Sequence, residues 1–128
     1  MSHLDLIARS LSLIDRSLPI AFAVLIVESL VNYIHSYRLL CYLKEKHFKK
    51  WEELGSPTLF INNSIKTGTA MSKFHRDKDY LLMGDPRLVK MCRRRNFLVM
   101  VHWVVFGACV LLIILSILLA KVLPSLAG

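Results

Sequence analysis

Apolar positions along this chain fall into two long runs, separated by a polar and basic stretch. The second run is the stronger. Phe97 to Ala120 contains no charged residue, and His102 and Ser116 are its only strongly polar members. A helix of that length rises about 36 Å, enough to cross a hydrocarbon core of about 30 Å with some tilt. Arg93, Arg94 and Arg95 stop the run on one side and Lys121 on the other. A transmembrane helix is expected over 97–121.

The first run, 19–43, carries Glu28, Asn32, His35 and Arg38. Each is costly in lipid and is found mostly where a span faces protein or water. Pro19 suits a first helical turn, where a missing N–H costs nothing. The helix is expected to continue past the bilayer to Gly55, a C-cap residue. Ahead of it, residues 2–18 place apolar side chains at 4, 7, 8, 11, 14 and 18, which is helical spacing one stripe wide. Asp5, Arg9, Ser12 and Asp15 take the opposite face. The expectation is an amphipathic helix over 1–18, ending near Ser17–Pro19. Its apolar stripe would rest on the membrane surface or on a partner protein.

Between the runs, Ser56-Pro57 and Asp85-Pro86 read as matched helix starts, each an N-cap residue followed by proline. They predict a middle helix over about 57–66, a Gly68-containing region, and a second helical piece to about Leu82. From Pro86 a helix should run unbroken into the second span. The predicted fold is all-α. It is a two-span transmembrane helical hairpin with an N-terminal amphipathic helix, a helical cytoplasmic segment over 44–96, and a short tail over 122–128.

Charge orients this arrangement. The net charge is +8, and nearly all of it lies in 44–96, whereas 1–18 is neutral and 122–128 is uncharged. Positive segments stay in the cytoplasm, so both termini are expected outside and the middle inside. Basic residues flanking a span meet anionic headgroups, which makes membrane lipids the expected anionic partner and nucleic acid not one. Lys46, Lys49, Lys50, Arg93, Arg94 and Arg95 are the candidate membrane-surface residues. Trp51 joins them, three residues after Phe48; the alternative is that Trp51 packs on the 86–96 helix. Cys41, Cys92 and Cys109 show no metal-type spacing and are expected as free thiols. The first 18 residues mix acids with bases and hold no continuous apolar core, so no cleavable signal peptide is expected.

The candidate interaction residues within the membrane are Glu28, Asn32, His35 and His102. The first three share one face of a helix. Counted from Lys44 and from Arg95, His35 and His102 fall about 10–14 Å below the same boundary. They are therefore expected at similar heights, within reach of each other. An interhelical hydrogen bond, a haem held by two imidazoles, and a proton path through Glu28 are the three readings. On the same count Glu28 lies level with Leu111–Ile113, which offers it no partner. Glu28 is then protonated, bonded to Asn32 or paired with another chain, and of these a contact with another chain is the expectation. His47, His75, Asp77 and Asp79 read as surface residues. No motif sets a nucleophile beside a base, and no phosphate loop or metal motif is present. No enzyme, cofactor or metal site is expected.

Two stretches carry a family likeness. One is Asp85-Pro86-Arg87-Leu88-Val89-Lys90-Met91-Cys92-Arg93-Arg94-Arg95-Asn96-Phe97, an Arg-rich run leading directly into a C-terminal span. The other is Trp51-Glu52-Glu53-Leu54-Gly55-Ser56-Pro57, similar to a segment of small bacterial membrane proteins. In layout, residues 40–128 resemble the universal stress protein B family of small bacterial inner-membrane proteins. The N-terminal amphipathic helix departs from that pattern. The resemblance implies an inner-membrane location, this topology and a stress-related setting, and it carries over no catalytic residue. The expected function is assembly, as a homo-oligomer or an accessory subunit of a larger membrane complex. A holin-like pore and a haem-binding electron-transfer subunit are the alternatives.

Overall fold

A computed structural model describes residues 3–61 and 64–127, with side chains described for 4–61 and 64–122. All regular structure among the described residues is helical: α1 (His3–Lys46), α2 (Phe48–Glu53), α3 (Ile65–Arg76), a 3₁₀ turn (Asp79–Leu81) and α4 (Pro86–Ala127). Both α1 and α4 are long and apolar enough to cross a membrane. The chain divides into two compact units, 1–29 with 101–128 and 30–100.

In the first unit, the start of α1 packs along the end of α4. Ser116 Oγ donates to Asp15 Oδ1 at 3.4 Å, and His102 lies against Glu28. The pairing is therefore antiparallel. Ile14 and Cys109 are buried in it. The break expected at Ser17–Pro19 is absent, because α1 runs through Pro19. Proline removes one N–H from the ladder and leaves the Asp15 carbonyl, four residues back, without its usual donor, a loss that a long helix tolerates when surrounding groups take it up. One residue earlier, Ser17 Oγ bonds the Ile14 carbonyl at 2.8 Å. Residues 3–18 are thus the first turns of α1 and not a separate helix.

The second unit has a core of the soluble type. Leu39, Leu43, Leu54, Phe74, Tyr80, Leu88 and Cys92 are buried together. They come from the end of α1, the turn after α2, α3, the 3₁₀ turn and the start of α4. Leu39 and Leu43, read from the sequence as the end of a span, belong to this head. The expected helix from Pro19 to Gly55 is interrupted once, at His47, whose φ of −133° and ψ of 50° are not helical. Beyond it α2 closes in a Schellman turn. Gly55 N–H donates to the Glu52 carbonyl at 2.9 Å and Ser56 N–H to the Trp51 carbonyl at 3.0 Å, with Gly55 at a φ of 88°.

No helix starts at Ser56-Pro57. Ser56 takes a φ of 52°, the left-handed region, and 57–61 is irregular. The predicted middle helix over 57–66 also spans 62 and 63, outside the described residues. The cap is Ser64, whose Oγ accepts from Thr67 N at 3.2 Å, and α3 carries Gly68 within it. Asp85-Pro86 does start a helix. Asp85 Oδ1 accepts from Arg87 N at 2.9 Å and Leu88 N at 3.1 Å, satisfying two of the orphan donors at the start of α4.

Candidate functional site

Three groupings of polar side chains stand out, one in the first unit and two in the second. In the first unit, His102 Nδ1–H donates to Glu28 Oε2 at 2.7 Å. The Glu28 side chain is 11% exposed and that of His102 32%. Glu28 Oε1 is buried with no hydrogen-bond partner among the described residues. The imidazole stacks on Phe106 and meets the edge of Trp103, which fixes its plane. Glu28 therefore has a partner within the chain, contrary to the expected contact with another chain.

The error came from the height count, which set Lys44 level with Arg95. In the second unit His35 Nε2–H donates to the Met91 carbonyl at 3.1 Å. Arg94 groups with Ile34, His35 and Arg38. The Arg93–Arg95 run thus lies level with the thirties of α1, because the last turns of α1 build the head. His35 and His102 each have a partner in their own unit. Asn32 is half-buried and has no hydrogen-bond partner among the described residues.

The second grouping joins the end of α1 to the start of α4. Asp85 Oδ2 accepts from Tyr42 OH at 2.8 Å and from His47 Nε2–H at 2.7 Å. Its other oxygen caps α4. These bonds, the His47 one foremost, hold the Asp85 carboxyl well below the usual carboxylate range. The Arg87 guanidinium lies over the Tyr42 ring, 5.0 Å from its centre. His47 is thus a half-buried staple and not a surface residue.

The third grouping is a cavity of about 600 Å³ in the second unit, walled by α1, residues 57–59, α3 and α4. His75 lines it. It is 6% exposed, and neither ring nitrogen has a hydrogen-bond partner among the described residues. Burial, helped by the nearby Arg95 charge, pushes the imidazole down to about 3, so it is neutral at pH 7. The expectation that His75 is solvated is overturned. Arg95 lines the same cavity, half-buried and lowered by desolvation.

The membrane-surface candidates divide. Lys49, Arg93 and Arg94 are exposed, and Lys46 is exposed beside Glu45 at 3.6 Å. Lys50 pairs with Glu53 at 3.4 Å and sits over the Phe74 ring. Trp51 is corrected: it packs against the core, its Nε1–H donating to the Pro57 carbonyl at 3.0 Å. The Schellman turn folds that carbonyl back onto the indole. Cys92 is buried in the same core, and desolvation pushes its thiol up to about 12, leaving it inert.

His47, Tyr42 and Asp85 gave no joint signal in sequence, being drawn together across about forty residues. The His75 signal was present. Thr67, Met71, Phe74 and His75 follow helical spacing once α3 is read as one helix through Gly68. In comparisons with known proteins, no family model, no curated protein and no solved structure matches this chain.

Proposed function

We propose that this chain is a small integral membrane protein that crosses the bilayer twice and acts without catalysis, by assembly. It would be a homo-oligomer or an accessory subunit of a larger membrane complex. The observation that carries this reading is bare apolar surface. In the most apolar stretch of α1 no residue is buried by the rest of the chain, and in that of α4 only 6% are. A core helix of a soluble protein would be covered. Ile20, Ile26, Val27, Trp103, Val104 and Leu111 are each more than half exposed, which in water would be an aggregation surface. Acyl chains or partner helices are the surroundings that suit it.

The first crossing is best placed at about 17–37, ahead of the head's core residues. That stretch rises about 31 Å, matching the bilayer core. The basic head would lie in the cytoplasm and both termini outside, in a bacterial inner membrane. Because Glu28 is held by His102, assembly would use the bare apolar faces rather than the polar stripe. Gly107 has open space where a Cβ would stand, so a second helix can approach closely there.

A water-lined pore draws little support, since Glu28 and His102 satisfy each other. A haem between His35 and His102 draws less, since the Nε2 of His35 is engaged by Met91. Alkaline carbonate extraction followed by cross-linking in native membranes tests the proposal. Retention in the pellet with a discrete cross-linked species, weakened by Gly107→Leu, is the expected outcome. Release into the supernatant would overturn the membrane assignment, and a monomer in every membrane sample the assembly.

A further inference from the structure

The cavity beside α3 has a charge pattern that nothing above accounts for. Two guanidiniums, Arg76 and Arg95, line it, and no carboxylate does. Arg76 spends one edge on Asp77, Nε to Oδ1 at 3.2 Å, on the exposed rim. Arg95 has no ion pair among the described residues, although its side chain is half-buried. Leaving a guanidinium desolvated and unpaired is costly. The same cavity holds His75, with two buried ring nitrogens that bond nothing. Buried polar groups in native proteins are satisfied with few exceptions, and an exception calls for an explanation. His75, two cations and the Asn96 amide line one space. That is a donor set for an oxyanion.

The remaining wall narrows the choice of anion. Leu39, Leu40, Val99 and Met100 line the cavity and lead onto the bare apolar stretch of α4. A soluble phosphate would leave that wall wet. At about 600 Å³ the space is also much larger than one phosphate group needs and falls in the usual range for ligand pockets. We propose that this cavity seats the phosphate of an anionic phospholipid, with Arg95 and His75 on the oxyanion and the acyl chains along Val99 and Met100. The site rests on the membrane reading, which places Arg95 at headgroup level. It differs from general attraction of a basic surface to a membrane, because His75 is buried, Arg95 is half-buried, and both border one volume.

The test uses the full chain in detergent, by native mass spectrometry, with added phosphatidylglycerol, phosphatidylcholine or inorganic phosphate. One-to-one retention of phosphatidylglycerol at least tenfold over phosphatidylcholine is expected. Arg95→Gln should reduce that retention at least tenfold. Lys66→Gln removes the same charge from an exposed position outside the cavity and should leave it unchanged. Equal losses in the two variants would show a nonspecific charge effect and overturn the site. Retention of inorganic phosphate without lipid preference would overturn the lipid as its source.

A measurement on the unaltered chain guards against misfolding of the Arg95 variant. Phosphatidylglycerol carrying a photoactivatable group near the glycerol should label peptides from 57–59, 67–76 and 95–100. Labelling confined to 19–34 and 101–120 would mark ordinary annular lipid and refute the cavity. A chain that resists carbonate extraction but shows no lipid preference sinks this site alone, whereas a soluble chain sinks the membrane reading beneath it.

Discussion

The Glu28–His102 pair gives the sharpest energetic prediction. Its two heavy atoms are 2.7 Å apart, and the second carboxylate oxygen has no hydrogen-bond partner among the described residues. His102→Leu would therefore leave both oxygens bare, while Glu28→Leu removes the need for a partner. Truncating one side of a buried pair in a soluble core costs about 3–5 kcal/mol. Hydrogen bonds between membrane helices are worth less, about 0.6–2 kcal/mol, because the separated helices find other partners. On the membrane reading proposed above, this pair falls in the second regime. A coupling energy of about 1–2 kcal/mol is expected. His102→Leu should be the more damaging single change, and the double variant should recover part of the loss.

A double-mutant cycle measures this coupling. Unfolding in mixed micelles can be followed by the distance between spin labels on Leu13→Cys and Leu118→Cys, both exposed positions of the first unit. Cys41, the exposed native thiol, is first replaced by serine. Losses that add to within about 0.3–0.5 kcal/mol would show that the two side chains do not interact energetically. The reasoning from their geometry would then be wrong.

Three further predictions concern the head. Phe74→Ala empties the centre of its core and should cost about 3–5 kcal/mol, seen as faster proteolysis within 55–85 while amides of the first unit stay protected. The Asp85 carboxyl is held below its unfolded value of about 3.9, so its stabilising contribution is complete above that pH and is lost as pH falls through the lower folded value. Circular dichroism of an acid titration should show the head loosening below about pH 4, and Asp85→Asn should flatten that response; an unaltered titration in the variant would count against the staple. Gly55→Ala forces a side chain into a φ of 88°, with its Cβ 3.0 Å from Thr67 Oγ1. It should lower the head's melting temperature, whereas Gly68→Ala, which meets nothing within 4 Å in the middle of α3, should raise it by roughly 0.5–1 kcal/mol of stability.

The second long helix was legible because an uncharged run of more than twenty residues admits few other readings, and the first because its apolar stretch, though interrupted by Glu28, has the length of a span. The start of α4 was legible too, since Asp85-Pro86 is a local signal whose meaning depends on no distant residue. Leu39 and Leu43 were misread for a physical reason. Hydropathy reports that a side chain leaves water, and both acyl chains and a small protein core satisfy it. Pro19 was misread because its cost depends on neighbours that a sequence window does not show. The partner of Glu28 was missed because its height was counted from the wrong landmark. The last turns of α1 fold into the head, so Lys44 does not mark the same level as Arg95. The cavity was missed because Gly68 was taken to divide α3, which hid the register that puts His75 on its inner face.

Asp85 serves two masters. One of its oxygens completes the start of α4, and the other secures Tyr42 and His47, about forty residues earlier in the chain. During synthesis, the end of the first long helix must therefore wait for a residue the ribosome has yet to add. The head can be locked only after translation has passed it, so a nascent chain stalled before that point would hold a first helix with a loose end.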